Sequence, residues 1–283
     1  MSPKKKKRPA FTAGLFLFIF IAGFAAAYLY KNFESGRPSE DLPYDVPEEI
    51  SGNTEVAPKV QSYEAMAVIV IDDLGYDLSK VQEIADIGLP ITVAVIPYLP
   101  DSKKSAIMAG ERGLEVIVHM PMEPTNVAEN DPGEYALLVG MKHKDIMDRV
   151  SGAFAEVPGA VGLNNHMGSR FTEDREGMES AISVVKDRGL FFLDSKTSPK
   201  SVAYSTASSL GVRAVERSVF LDNEQDEEHI KAQLDRLVEL AKKRKIAVAI
   251  GHPYKETIKV LKENASELES RGVKLVNLSD IVK

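Results

Sequence analysis

The sequence predicts a parallel α/β domain. Within that class it predicts a (β/α) barrel of seven to eight strands, distorted or incomplete, preceded by one N-terminal transmembrane helix. Three observations carry the α/β assignment. Short apolar runs recur at 67–71, 91–96, 115–118, 160–163, 190–193, 218–221, 246–250 and 273–276. Most are β-branched or aromatic and lack period-two alternation, as strands buried on both faces do. Amphipathic segments lie between them: in 226–243, Ile230, Leu234, Leu237, Val238 and Leu240 keep helical spacing. Finally, Gly88, Gly113, Gly159, Gly189, Gly211 and Gly272 stand close to the starts of these runs, where a glycine ends the preceding helix. The repeating unit is therefore helix, glycine, strand, loop. Eight candidate strands point to a barrel; an open doubly wound sheet is the alternative.

The elements read in order as follows. Residues 1–32 are a basic N-terminus and an anchor. Lys4, Lys5, Lys6, Lys7 and Arg8 precede residues 11–30, which carry no charge. A run of about 20 apolar residues spans a bilayer as a helix. Tyr28 and Tyr30 stand at its far end, where an interfacial belt forms. The basic cluster keeps the N-terminus in the cytoplasm, so everything after Lys31 is expected on the periplasmic or extracytoplasmic side of the inner membrane. A cleaved signal peptide is the rival reading, with Ala25-Ala26-Ala27 as the small residues, and the protein would then be secreted. The run exceeds the roughly 7–15 residues of a signal core, which favours the single-pass anchor.

Residues 33–63 form an acidic linker. Pro38, Pro43, Pro47 and Pro58 break any helix, and Glu34, Glu40, Asp41, Asp45, Glu48, Glu49 and Glu55 face only Arg37 and Lys59. Such a stretch stays solvated and extended. Residues 64–283 hold the barrel domain.

Composition narrows the function. The chain has no cysteine, which excludes disulfides and thiolate metal sites, so any metal must bind His, Asp or Glu. The formal net charge is −7, with +6 in residues 1–32, leaving −13 for the rest. An acidic body is a poor nucleic-acid binder. There is no GxGxxG and no Walker A sequence, so dinucleotide and NTP binding have no support.

In either α/β architecture, chemistry gathers at the carboxyl ends of the strands. Asp72 and Asp73 follow the first run, and His119-Met120-Pro121-Met122-Glu123 the third. Asn164 to Arg170 follow the fourth, including His166, and the fifth ends at Asp194-Ser195-Lys196. Asp222 follows the sixth, and Gly251-His252-Pro253-Tyr254 the seventh. Three of the five histidines thus sit at strand ends, while His143 and His229 lie in polar, helix-like stretches. Two adjacent carboxylates repel each other unless a cation or a proton is shared. A divalent metal supplies that cation. Asp73 with His119 and His166 gives two imidazoles and a carboxylate with open positions, the donor set of a catalytic zinc or similar site.

Each residue also has a blander role open to it. Asp72 and Asp73 could cap the helix starting near Asp77 or Ser79. His119 and His166 could be hydrogen-bonded core histidines, and His252 could fix a turn before Pro253. Asp194 could cap a helix or pair with Lys196. Glu123 stands four residues after His119, but Pro121 and Pro124 argue against a regular helix there.

Asp72-Asp73, His119, Asn164-Asn165-His166-Met167-Gly168-Ser169, Leu193-Asp194-Ser195 and Gly251-His252-Pro253 together resemble the divergent polysaccharide deacetylase family, a distant relative of the NodB-type carbohydrate esterases. The resemblance implies a deformed (β/α) barrel and metal-dependent removal of acetyl groups from an envelope glycan. It implies Asp72 as general base, Asp73 as metal ligand, His252 as general acid and Arg170 as the arginine that orients the base. Asp194 is assigned to orient His252. One departure stands out. The wider superfamily takes two ligands from an H-x-x-x-H segment, and here the second place is Glu123, so His166 is expected to replace it.

The expected cofactor is a divalent metal, zinc first, and the expected partners are an acetylated glycan and, through the anchor, the membrane. A second class of function is an inactive glycan-binding or envelope scaffold on a deacetylase fold. A third is a hydrolase of phosphoesters, for which Lys196, Lys200 and Arg170 leave room.

Overall fold

The computed structural model of the chain describes residues 65–282. The expected anchor and linker lie outside the described residues. Among the described residues, no helix is long and apolar enough to cross a membrane.

The strands are β1 (Ala65–Leu74), β2 (Ile91–Val95), β3 (Glu115–Met122), β4 (Gly162–Met167), β5 (Phe191–Asp194), β6 (Ala214–Glu216), β7 (Val219–Phe220), β8 (Ile246–Gly251) and β9 (Val273–Leu275). Every apolar run contributes one. Only β6 was not expected, being three half-buried residues long. The α-helices are α1 (Leu78–Ala85), α2 (Ser102–Glu111), α3 (His143–Glu156), α4 (Arg175–Asp187), α5 (Ala203–Ser209), α6 (Glu227–Arg244), α7 (Lys255–Asn264), α8 (Glu267–Ser270) and α9 (Leu278–Ile281). The six glycines singled out in the sequence all take positive φ, between 69° and 80°, which is the left-handed turn needed to leave a helix.

All strand pairs are parallel, in the order β6-β5-β4-β3-β2-β1-β8-β7. The order runs round without the reversal that marks a doubly wound sheet, so the sheet is a curled (β/α) barrel. β6 and β7 belong to one extended segment that changes neighbour. β6 pairs with β5; then the Arg217 amide donates to the Asp194 carbonyl (2.9 Å) and the Ser218 amide to the Val248 carbonyl (2.7 Å), and β7 pairs with β8. One short segment thus bridges the seam, and the barrel is incomplete in the expected sense.

Strand side chains alternate between two cores. Val68, Val70, Ala94, Ile117, Phe191, Leu193, Val248 and Ile250 pack together inside the curl. Ile69, Ile71, Val93, Val95, Val116, Val118 and Phe192 face the helices. Gly162 has no side chain because a Cβ there would meet the Phe191 ring at 2.3 Å. β9 pairs with the start of β1, and the chain then passes beneath the barrel. There Val276, Leu278 and Val282 join the interior cluster. The Leu278 amide donates to Thr92 Oγ1 (3.1 Å) and the Ser279 amide to Glu115 Oε1 (3.2 Å), so α9 plugs the amino end of the barrel. The opposite end remains for chemistry.

Candidate metal centre

The interior rows run straight into the site. On β1, Val68 and Val70 point inward and Asp72 comes next; on β3, Ile117 is followed by His119. On β8, Val248 and Ile250 are followed by His252. Alternation alone would turn Asp73 to the outer face. It does not, because the β1–β2 register shifts between Ile71 and Leu74 and Asp73 takes φ +60°. This bulge brings two consecutive carboxylates to one centre. Neither caps a helix: Asp77 caps α1, accepting the Ser79 amide at 2.8 Å.

Asp73 Oδ1 lies 2.8 Å from His166 Nδ1 and 3.1 Å from His119 Nε2, and the two nitrogens are 3.2 Å apart. These residues come from three different strand ends. Three donors bonded to one ion at ~2.0–2.1 Å with tetrahedral angles would be about 3.3 Å apart, so the observed triangle is the right size. Asp73 Oδ1 is also buried and accepts no well-directed hydrogen bond. An orphaned buried carboxylate oxygen facing two ring nitrogens suits a cation. The expected ligand set Asp73, His119 and His166 therefore fits a divalent ion.

The electrostatics agree. Burial acts to lift the Asp73 carboxyl, but His119 and His166 outweigh it and hold it well below the usual carboxylate range. Burial acts to lower His119, yet Asp72 and Asp73 pull its pKa up to about 9. The carboxylate pair thus demands positive charge, and a proton on His119 supplies it when nothing else does.

Around this triangle the support is built from side chains. His119 Nδ1 donates to Asn164 Oδ1 (2.8 Å), which leaves Nε2 with its lone pair toward Asp73. The Asn164 amide donates onward to Asp72 Oδ1 (2.9 Å) and to Ser195 Oγ (3.2 Å). Asp72 Oδ2 remains beside the triangle, 3.5 Å from His119 Nε2. Burial lifts the Asp72 carboxyl above its ordinary value; His119 opposes the shift and Asp73 adds to it. His252 Nε2 approaches Asp73 Oδ2 at 3.7 Å, and its Nδ1 lies 2.9 Å from Asp222 Oδ1. Asp222 Oδ2 also accepts the His252 amide (2.6 Å) and the Thr257 hydroxyl (2.7 Å). Burial acts to lower His252, but the Asp222 carboxylate outweighs it and raises the imidazole above its ordinary value. A cavity of about 260 Å³ opens over these groups, walled by Met167, Thr197 and Phe220.

Two expected roles are corrected. Arg170 does not reach Asp72. It follows the turn at Gly168, and its guanidinium lies 2.7 Å from Glu123 Oε1, half exposed. Glu123 in turn accepts the Val139 amide at Oε2 (2.6 Å), so this residue ties down a loop and takes no place in the donor triangle. Another arginine lies nearer: burial lowers the Arg217 guanidinium, and the carboxylates of Asp194 and then Asp72 oppose that shift. Arg217 is held by the carbonyls of Ser195 (2.7 Å) and Lys196 (3.0 Å) and lies over the Phe220 ring. Asp194 does not orient His252; Asp222 does. Asp194 falls on the outward parity of β5 and accepts the Lys196 amide, the Ser201 hydroxyl and the Tyr204 amide. Sequence reading missed Arg217 because it sits between two apolar runs. It missed the role of Asp222, although the inward parity of His252 and the run before Asp222 were both readable.

Comparison with known proteins decides the family. Residues 69–282 match the model described as divergent polysaccharide deacetylase. The chain belongs to that family. An uncharacterized protein of Haemophilus influenzae is 35% identical over 218 residues, covering 77% of this chain and 77% of that one. The uncharacterized protein YibQ of Escherichia coli is 35% identical over 215 residues, covering 76% and 66%. Among solved structures, the uncharacterized protein ATU2773 of Agrobacterium tumefaciens aligns with a TM-score of 0.73 at 26% identity, covering 77% of this chain and 89% of that one. A mutant of BA3943, described as a CE4 family pseudoenzyme with restored enzymatic activity, aligns at TM-score 0.51 and 14% identity, covering 77% and 68%. That last likeness concerns the fold alone. The curled barrel of this chain is thus the fold also seen in that CE4 family protein.

Proposed function

We propose that this chain is a metal-dependent hydrolase that removes acetyl groups from an envelope polysaccharide. The observation that carries this reading is the convergence of Asp73 Oδ1, His119 Nε2 and His166 Nδ1, with the Asp72 carboxylate on one side and the Asp222-backed His252 imidazole on the other. Asp73, His119 and His166 would hold a divalent ion, zinc first. Such an ion, when bound, supplies Lewis acidity and lowers the pKa of a water toward ~7.

The chain's own residues divide the remaining work. Asn164 occupies Asp72 Oδ1, which leaves Oδ2 to take a proton from the attacking water. Its burial-raised pKa makes Asp72 a stronger base than an exposed carboxylate. His252, charged and oriented by Asp222, donates a proton to the departing sugar nitrogen or oxygen. Phe220 packs beside His252 at 5.3 Å between ring centroids and gives the cavity an apolar wall for an acetyl methyl. Arg217 lies over the Phe220 ring at 4.7 Å and so braces that wall.

Residues 11–30 would anchor the protein in the cytoplasmic membrane, with the acidic linker 33–63 carrying the domain on the periplasmic or extracytoplasmic side. Cleavage near Ala25-Ala26-Ala27 would release it. The test combines elemental analysis of the purified protein with acetate release from a panel of acetylated envelope glycans. One bound divalent ion and acetate release support the hydrolase. Glycan binding with neither metal nor acetate release would establish the inactive scaffold instead.

A further inference from the structure

A second cavity, of about 270 Å³, lies beside the first and shares His166 with it. Its wall is aromatic. Tyr98 and Tyr135 stack with ring centroids 4.1 Å apart and planes 23° from parallel. Tyr98 is fixed by more than this contact. Its backbone takes φ +65°, a strained region for a tyrosine, and a side chain at position 152 would collide with its hydroxyl, since a Cβ on Gly152 would lie 2.3 Å from Tyr98 Oη. Tyr135 is 44% exposed and Tyr76, at the rim, 66% exposed. Asp131 and Glu134 stand in the same lining. The Tyr135 loop is tied back to the site: the Leu137 amide donates to the Pro121 carbonyl (2.9 Å), and Glu123 holds the Val139 amide. Pro121 in turn lies in register beside His166.

Resting on the reading above, we propose that this cavity is a stacking subsite for the neighbouring sugar ring of the glycan, and that the substrate is therefore an oligosaccharide. A pyranose presents an apolar C–H face that suits an electron-rich aromatic face, and its hydroxyls donate to carboxylates such as Asp131 and Glu134. Each cavity alone falls below the ~300 Å³ at which small-ligand sites usually begin; joined along His166 they fall within that range. A rigid, strained tyrosine under an exposed one costs stability that packing alone does not require.

The test is titration calorimetry of full-length protein with N-acetylglucosamine and with its tetramer, alongside acetate release from both. Wild type should bind the tetramer roughly tenfold more tightly than the monomer. Tyr135→Ala should lose that advantage and raise KM for the tetramer without changing kcat, while leaving the monomer unaffected. Tyr135→Phe, which keeps the ring, should restore it. Equal wild-type affinity for the two sugars, or an equal loss for both in Tyr135→Ala, overturns the subsite. Acetate release with no preference for length keeps the hydrolase and removes the subsite. Length-dependent binding without acetate release keeps the subsite and removes the hydrolase.

Discussion

His119 and Asn164 face each other in register across the β3–β4 ladder, and their side chains are joined at 2.8 Å. The same Asn164 donates to Asp72. One amide therefore fixes the tautomer of a candidate metal-ligating imidazole and the orientation of the candidate base. Replacing Asn164 by Leu should weaken metal binding by about 10–100-fold, as loss of such partners does. Competition with a chelator checks this, and an unchanged affinity would refute the role.

Asp72 and Asp73 are expected to fail differently. Asp73→Ala removes the carboxylate of the donor triangle, so metal content and acetate release should both disappear. Asp72→Asn leaves the triangle intact, so metal content should remain while turnover falls ~10²–10⁴-fold. Elemental analysis and single-turnover kinetics of both variants separate the roles; metal retained in Asp73→Ala would reverse the assignment.

The pH profile should report Asp222. Its carboxylate raises His252 above the ordinary value of 6.5, so the protonated acid persists to higher pH. The alkaline limb of kcat/KM is then expected above 6.5, where His252 loses its proton. Asp222→Asn withdraws that negative charge and leaves burial, which lowers the imidazole, opposed only by Asp73 and Asp72. That limb should move to lower pH in the variant, and a limb that stays in place would clear Asp222 of this function.

Glu123→Ala is predicted to keep its metal. The glutamate anchors Val139 and Arg170, not an ion. Losing two bonds to a charged group should destabilise the fold by roughly 1.5–3 kcal/mol each at most, with faster proteolysis between residues 124 and 142. A large drop in metal stoichiometry would instead return Glu123 to the donor set.

Leu278→Ala tests the plug at the far end. Leu278 is fully buried in the interior cluster below Val68 and Val70. Truncation there should cost about 2–5 kcal/mol, read as a lower urea midpoint, with metal affinity of the folded fraction unchanged.

Much of this was legible beforehand. Fully buried strands announce themselves as unbroken apolar runs, and the carboxyl-end rule groups Asp72, Asp73, His119, His166 and His252 from the sequence alone. The rest depended on direction. Asp73 reaches the centre only through a bulge and a left-handed backbone, which period-two reasoning places on the wrong face. Asp194 and Asp222 both end apolar runs, and only inside–outside parity distinguishes them. Arg170 follows β4 closely, but the turn at Gly168 carries it toward Glu123. β6 escaped notice because three half-buried residues leave no periodic signal.

β1 has a consequence for biosynthesis. It is the first strand of the domain to leave the ribosome, yet its ladders along one flank and at its base are completed by residues 246–251 and 273–275. Its inward row is sealed from below only by residues 276–282. The nascent polypeptide must therefore carry β1 with only its β2 flank available for pairing through almost the whole of elongation, and topologies with such distant partners fold slowly. The interior of the curl therefore closes only once residues 276–282 have been made.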